Sequence, residues 1–337
     1  MKNIYSLLIT LLSIVTASAQ IATNYSFASS SSGSMTDMSS GTTQLIGANQ
    51  EDVASAVIDI DFDFWFMGAR YRQFSVNSNG FVELGTFQIF NYQQSLGGGV
   101  SRLITALGGD LMTSTTGKVH YKMIGSAPNR VLVIEFKNMS IVQPTNSADG
   151  TYQVRLYESS NSFELVYGTM NRNDSPGPPL YIGFSLGNVD NYYATYVTST
   201  GIFNNTGGVA FQLFPLSAPI FDLTSVANGS RKMFTFSPIA APAPSGLNFT
   251  AVKAVGMTLN WTDNSSDEVG YAIYRSDDGG VTYKFYAQTD NFTHSLVVNE
   301  GLTPLTNYFW KVYTVREGLS SPITGSLSTI AAGNITS

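Results

Sequence analysis

Alternation with a period of two is the feature that most limits what this chain can become. In Ile58-Asp59-Ile60-Asp61-Phe62-Asp63-Phe64-Trp65-Phe66 the Ile and Phe side chains fall on one face of an extended segment and the three Asp on the other. Successive side chains of a strand point to opposite faces, so this pattern describes a half-buried strand. Met67-Gly68 ends it. Arg72 to Val76 and Phe81 to Leu84 then flank Asn77-Ser78-Asn79-Gly80, a hairpin turn whose Asn and Gly tolerate positive φ. Further strands are expected at Lys118 to Met123, Val131 to Phe136, Tyr152 to Tyr157, Phe163 to Tyr167, Leu180 to Leu186 and Tyr192 to Val197, between clusters of Gly, Pro, Asn and Ser. No capped stretch of about 12 residues or more has helical periodicity. Tyr92 to Leu107 is the one helical candidate, but Gly97-Gly98-Gly99 interrupts it, and a loop with at most one helical turn is expected. The fold class read from this pattern is all-β, with antiparallel sandwiches.

Residues 1–19 have the plan of a secretory leader: Lys2, an apolar run from Tyr5 to Val15, and the small-residue site Ala17-Ser18-Ala19. The run is about half the roughly 20 residues a membrane span needs, so cleavage before Gln20 and no later membrane insertion are expected. The chain is acidic, with 17 Lys and Arg against 23 Asp and Glu and a net charge of −6, which argues against nucleic acid as a partner. It has no Cys, which removes disulfides, thiolate metal sites and cysteine nucleophiles.

A boundary is expected at Pro238-Ile239-Ala240-Ala241-Pro242-Ala243-Pro244, where proline withholds the amides a continuing sheet needs. The 337 residues then divide into a leader of 1–19, a first sandwich of 20–237 and a second of 238–337. Residues 21–56, rich in Ser, Thr and Gly, read either as a flexible leader or as an edge strand with long loops, the strand being preferred.

The last hundred residues resemble a fibronectin type III domain. The resemblance rests on Leu259-Asn260-Trp261, Gly270-Tyr271-Ala272-Ile273-Tyr274-Arg275, the turn Asp277-Asp278-Gly279-Gly280, and Leu302, Pro304, Thr306 and Tyr308. It implies a corner in which the Tyr308 hydroxyl bonds upstream backbone, and core positions for Trp261 and Trp310. Residues 55–200 resemble the nidogen-like extracellular domain, on Phe62 to Gly68 with Tyr71, Val76-Asn77-Ser78-Asn79-Gly80-Phe81, Gly117-Lys118-Val119-His120-Tyr121, Val133-Ile134-Glu135-Phe136 and Tyr152-Gln153-Val154-Arg155-Leu156-Tyr157. Where that family commonly has proline, tryptophan and aspartate, this chain has Ala106-Leu107-Gly108-Gly109-Asp110. Both resemblances imply extracellular interaction without defining a chemistry.

Candidate chemistry is sparse. Gly183-Phe184-Ser185-Leu186-Gly187 fits the nucleophile-elbow pattern, but a turn and a strand follow where a helix is required, so Ser185 is expected to face solvent. Asp59, Asp61 and Asp63 stand ~7 Å apart along a strand, too far to converge on one calcium ion without help from loops. Asp263-Asn264-Ser265-Ser266-Asp267-Glu268 is a second oxygen-rich loop and a second candidate for calcium, although it resembles the usual inter-strand loop of a fibronectin type III domain. His120 and His294, one in each domain, read as surface residues and offer no paired zinc site. Glu135, Glu158 and Glu164 are the acids a glycosidase would use, although alternation places them outward. No catalytic, cofactor or metal residue is assigned.

The expectation is an exported, non-enzymatic binding or structural protein, in cell-surface or matrix adhesion, whose partner is an extracellular protein or glycan. The alternative is a carbohydrate-binding accessory module, for which Tyr92, Tyr192, Tyr193 and Tyr196 are the candidate exposed aromatics.

Overall fold

The computed structural model describes residues 24–96, 102–141, 146–170, 180–185, 194–198, 201–205 and 231–333. In chain order the first sandwich runs through β1 (Tyr25–Gly33), β2 (Thr43–Ile46), β3 (Ile58–Phe66), β4 (Ala69–Val76), β5 (Val82–Leu84), β6 (Leu103–Gly108) and β7 (Met112–Ile124). It continues with β8 (Val131–Ser140), β9 (Gly150–Tyr157), β10 (Phe163–Met170), β11 (Tyr181–Ser185), β12 (Ala194–Thr198), β13 (Gly201–Asn205) and β14 (Arg231–Pro238). One sheet has the order β1-β14-β10-β9-β8-β7-β2 and the other β13-β12-β11-β6-β5-β4-β3.

The alternation explains the core. Ile60, Phe62, Phe64 and Phe66 of β3 meet Leu132, Ile134 and Phe136 of β8, Tyr152, Val154 and Leu156 of β9, and Phe163, Leu165 and Tyr167 of β10 in one buried cluster. Tyr25, Phe66, Phe163, Phe184 and Phe236 form its aromatic centre, with Phe163 and Phe236 stacked at 4.9 Å and Phe163 edge-on to Phe184 at 5.4 Å. Each such side chain contributes roughly 1.5–3 kcal/mol through burial. The Tyr25 hydroxyl accepts a hydrogen bond from the Met67 amide at 3.1 Å, and burial raises its pKa far above the ordinary tyrosine value.

Residues 24–56 supply both edges of the first sheet, β1 at one side and β2 at the other. Between them the chain crosses the sheet face that points away from the core. Thr36 exchanges hydrogen bonds with the Gln153 side chain at 3.0 and 2.8 Å, the Ser34 carbonyl accepts from Arg155, and the Asp37 carbonyl accepts from Lys122.

One expectation fails inside the second sheet. Where a loop with a helical turn was anticipated within residues 92–107, β6 is a fully buried strand. Leu103-Ile104-Thr105-Ala106-Leu107 is covered on both faces, so it shows no alternation, and a short apolar run of this kind does not by itself distinguish a strand from a helix. β14 also lacks an alternating signal strong enough to be anticipated. It lies between β1 and β10, and its last residue, Pro238, pairs with Tyr25.

The second sandwich contains β15 (Ser245–Thr250), β16 (Met257–Thr262), β17 (Gly270–Ser276), β18 (Lys284–Asp290), β19 (Ser295–Val298), β20 (Asn307–Val315) and β21 (Ile323–Ser328). Its sheets are β15-β16-β19 and β18-β17-β20-β21. Trp261, Tyr271, Tyr308, Trp310 and Val312 pack in its core. The Tyr308 hydroxyl accepts from the Thr303 amide at 2.8 Å, closing the corner before β20.

The two sandwiches meet on the Asp face of β3. Trp65 shares that face yet is fully buried, packed with Ala272 and Val315. Its indole Nε1 donates to the Tyr274 hydroxyl at 3.0 Å, and that hydroxyl donates to Asp63 Oδ2 at 3.0 Å. Asp63 also holds Arg70 at 2.8 Å, and the Arg70 guanidinium lies 3.9 Å from the centre of the Phe285 ring. The Gly68 amide bonds the Glu317 carbonyl at 3.2 Å, and Asn24 Nδ2 donates to Glu317 Oε1 at 2.9 Å.

Trp65→Ala removes the largest apolar group of this seam, at a cost of about 3–5 kcal/mol. Differential scanning calorimetry should then resolve separate transitions for the two sandwiches. Val281→Ala, at a side chain that is 81% exposed, should leave the trace unchanged.

Candidate functional site

Most of the acids and histidines singled out in the sequence are held by partners; Glu268 is buried and its Oε2 has none. Asp59 accepts from Gln73 at 2.8 Å and Asp63 serves the interdomain seam, while at Asp61 it is the backbone carbonyl that accepts from Arg130, at 2.7 Å. Asp267 pairs with Arg316 at 2.8 Å, and Asp263 caps the Ser265 amide. Among the described residues no group of three or more His, Asp or Glu is placed to hold a metal ion. Glu158 grips Arg130 through both carboxylate oxygens at 2.6 and 2.8 Å, which holds its pKa below the ordinary glutamate value against the opposing effect of burial. Glu164 accepts from Tyr157 at 2.5 Å.

Two surface assignments are overturned. His120 is fully buried, its Nε2 lying 2.7 Å from Glu135 Oε2, and Glu135 Oε1 accepts from Gln153 at 2.8 Å. Both residues do sit on the sheet face turned from the core, but the crossing segment at Ser34 to Asp37 covers it, which alternation alone could not reveal. Ser185 is buried at 1% exposure and its Oγ has no hydrogen-bond partner, so it does not face solvent. The remainder of its motif, from Leu186, lies outside the described residues, as do Gly97-Gly98-Gly99, Tyr192 and Tyr193. Tyr196 lies in β12.

Tyr92 leads to a surface of another kind. It is 63% exposed, with Phe87 at 70% and Phe90 at 51%, on the chain between β5 and β6. The Phe90 and Tyr92 rings lie nearly parallel, 18° apart with centroids at 5.5 Å. Three outward aromatics within six residues would ordinarily fold inward, because exposed apolar area costs free energy. Here the backbone is held too firmly to do so. Buried Asn77 donates from Nδ2 to the carbonyls of Phe90 at 3.1 Å and Gln93 at 2.9 Å, and its Oδ1 accepts from the Phe81 amide at 3.1 Å. Buried Asn79 donates to the Asn91 carbonyl at 3.1 Å and to Asp52 at 2.8 Å. The Ser75 hydroxyl accepts from the Ile89 amide at 2.8 Å, and Gln88 donates to the Ser55 carbonyl at 2.9 Å.

The turn that aims these amides needs glycine. Gly80 has φ +90°, and a Cβ there would stand 2.1 Å from the Leu107 carbonyl oxygen. Beneath the loop, Ile89 and Leu96 pack with Phe81, Leu103 and Tyr181 in a small core of their own. The loop is therefore pinned by two apolar pegs and a set of amide bonds, and it presents only its aromatic side.

Glu83 lies in the same sheet, paired with Ser75 and Leu103 and 5% exposed. Burial pushes its carboxyl up to about 7, although the charge of Arg102 pulls the other way. Asp110, which accepts from Gln94 at 2.8 Å, is also raised by burial and then by the charges of Asp52 and Glu51.

Two antiparallel sandwiches in tandem, with a pinned aromatic loop, define a modular β protein. Residues 24–213, more than half of the chain, match a family model described as NIDO related, and the chain belongs to that family. Residues 242–328 match the fibronectin type III domain. Domains of these kinds are typically non-catalytic and usually occur in extracellular proteins as binding or structural modules. Among solved structures, the chain is similar to a fibronectin type III domain of human contactin 1, at 20% identity over 29% of this chain and 86% of that one, with a TM-score of 0.26. It is similar also to that of the human collagen alpha-1(XX) chain, at 16% identity over 29% and 93%, with a TM-score of 0.27. A comparison with curated proteins finds no match.

Two outcomes follow from this geometry. Asn77→Ala removes one hydrogen bond each from the Phe90 and Gln93 carbonyls and the one made by the Phe81 amide, and should cost about 1–3 kcal/mol in a denaturant titration. Glu83 binds its proton more tightly in the folded state than at the ordinary value of 4.5, so the stability it confers is complete below 4.5 and is lost as pH rises through about 7. Glu83→Gln should therefore raise the melting temperature by ~2–4 °C at alkaline pH, the shift that about 1 kcal/mol makes in a domain of this size, with no gain in acid.

Proposed function

We propose that this is an exported, non-enzymatic binding protein acting in cell-surface or matrix adhesion, composed of domains 20–237 and 238–337 after loss of a leader at 1–19, and that the Phe87, Phe90 and Tyr92 loop is its contact surface. The loop carries the proposal. An apolar surface held outward by buried hydrogen bonds costs stability, and a binding role accounts for that cost. The acids considered for catalysis support the non-enzymatic reading, since Glu135, Glu158 and Glu164 are each engaged with a side chain of this protein. The partner is an extracellular protein or glycan. Nucleic acid does not suit a chain of net charge −6.

The same loop favours a second reading, a carbohydrate-binding accessory module associated with polysaccharide degradation, because parallel exposed rings suit the faces of sugars. In either case binding of labelled mature protein to whole cells or matrix-coated surfaces should fall about tenfold or more when Phe90 and Tyr92 are both replaced by Ala, as expected for loss of central aromatic contacts. Undiminished binding by that variant would remove the loop from the mechanism.

A further inference from the structure

Residues 86–96 read Thr-Phe-Gln-Ile-Phe-Asn-Tyr-Gln-Gln-Ser-Leu, without a Lys, Arg, His, Asp or Glu. Ile89 and Leu96 are the buried pegs, so the surface consists of three aromatic rings among amide and hydroxyl side chains. Asn91 is exposed between Phe90 and Tyr92, and Gln88 and Thr86 are exposed beside Phe87.

This composition selects among ligands. An aromatic face carries partial negative charge and attracts polarised C–H groups, and an amide both donates and accepts hydrogen bonds. A ligand that satisfies both has apolar C–H faces and a rim of hydroxyls, which describes a sugar ring. Residues 86–96 hold no cation to bind carboxylate, sulfate or phosphate, and Arg102, which lies beside Gly85 at the start of the loop, is turned over the Tyr71 ring and toward the Glu83 carboxylate. The charged side chains hydrogen-bonded to the loop, directly or through Asn79, are acidic: Asp110 accepts from Gln94, and Asp52 accepts from Asn79, whose amide also holds the Asn91 carbonyl. These carboxylates disfavour an anionic chain along the loop. A protein partner would find no charge within the loop to set its register or steer its approach.

The geometry points to an uncharged polysaccharide as the ligand of this loop, its sugar faces on Phe87, Phe90 and Tyr92 and its hydroxyls on Asn91 and the neighbouring amides. This assignment rests on the reading of the loop as the contact surface and adds the class of ligand. Because the backbone is pinned before the ligand arrives, little ordering cost is left for the binding step.

The test uses the whole mature protein in affinity electrophoresis and calorimetry against neutral polymers (laminarin, xyloglucan, galactomannan, soluble cello-oligosaccharides) and anionic ones (heparin, alginate). Saturable binding to at least one neutral polymer, none to the anionic polymers, and no loss in about 0.5 M salt, where charge interactions are screened, are expected. Phe90→Ala and Tyr92→Ala should each weaken binding about tenfold, and the pair more, with unchanged melting temperature because the rings are exposed. Tyr92→Phe should retain most of the affinity. Phe292→Ala, at an aromatic 69% exposed in the other domain, should retain all of it. No neutral polymer bound, salt-sensitive binding of anionic polymers alone, or neutral binding indifferent to Phe90 and Tyr92 would each overturn the assignment. If the polymers fail while attachment to cells still depends on the two rings, the contact surface stands and its ligand is a protein. If attachment is equally indifferent, both readings fall.

Discussion

The hydrogen bonds from the Asn77 side chain govern the functional end of this molecule. A buried primary amide has two N–H donors and a carbonyl to satisfy, and leaving any of them unpaired costs more than a typical hydrogen bond contributes. Asn77 meets the need by reaching two loop carbonyls and the Phe81 amide. The loop cannot leave without orphaning these groups, nor can the asparagine turn outward while its neighbours Val76 and Phe81 are packed in core. A hairpin turn that in isolation would be a simple reversal of the chain thus becomes the anchor of a segment more than ten residues further on. The three exposed rings follow from that anchoring, because their backbone is not free to bring them inside.

The second constraint is the seam at Trp65. β4 carries Arg70 near its start, against Phe285 of the other domain, and passes directly into Asn77 beyond its end. One eight-residue strand therefore ties the domain junction to the clamp beneath the aromatic loop. Tyr274 extends the same logic to the polar part of the seam, where burial and the adjacent Asp63 carboxylate both keep its hydroxyl protonated, able to donate to Asp63 while accepting from Trp65. Of the three aspartates that alternation places on the polar face of β3, Asp63 is structural.

Much of the architecture was legible from side-chain period alone, and the exceptions share a cause. β3, β8, β9 and β10 turn one face to the apolar core and carry mostly polar residues on the other, so their residues alternate and announce themselves. β6 is covered on both faces and reads as an apolar run, while β14 has neither pattern strongly enough. His120 and Glu135 alternate correctly to the far face of their sheet, but the burial of that face comes from residues some hundred positions earlier in the chain, a relation no local pattern contains. Trp65 is a similar case, since what covers it belongs to the other domain. At the loop, Tyr92 stands out as a candidate exposed aromatic, whereas Phe87 and Phe90 do not, because a wholly apolar residue is ordinarily assigned to a core. Their signal was present in another form, as aromatics alternating with amides in a stretch free of charge and regular period.

Hydrogen exchange at the amides of Ile89 and Gln93 in the free protein tests the central claim most directly, that the aromatic loop is already fixed before any ligand is bound. Ile89 N–H donates to the Ser75 hydroxyl and Gln93 N–H to the Phe90 carbonyl, so both should exchange as slowly as the amides of the neighbouring strands and should speed up together in Asn77→Ala. Exchange at the rate of an unstructured peptide in the unaltered protein would contradict the account.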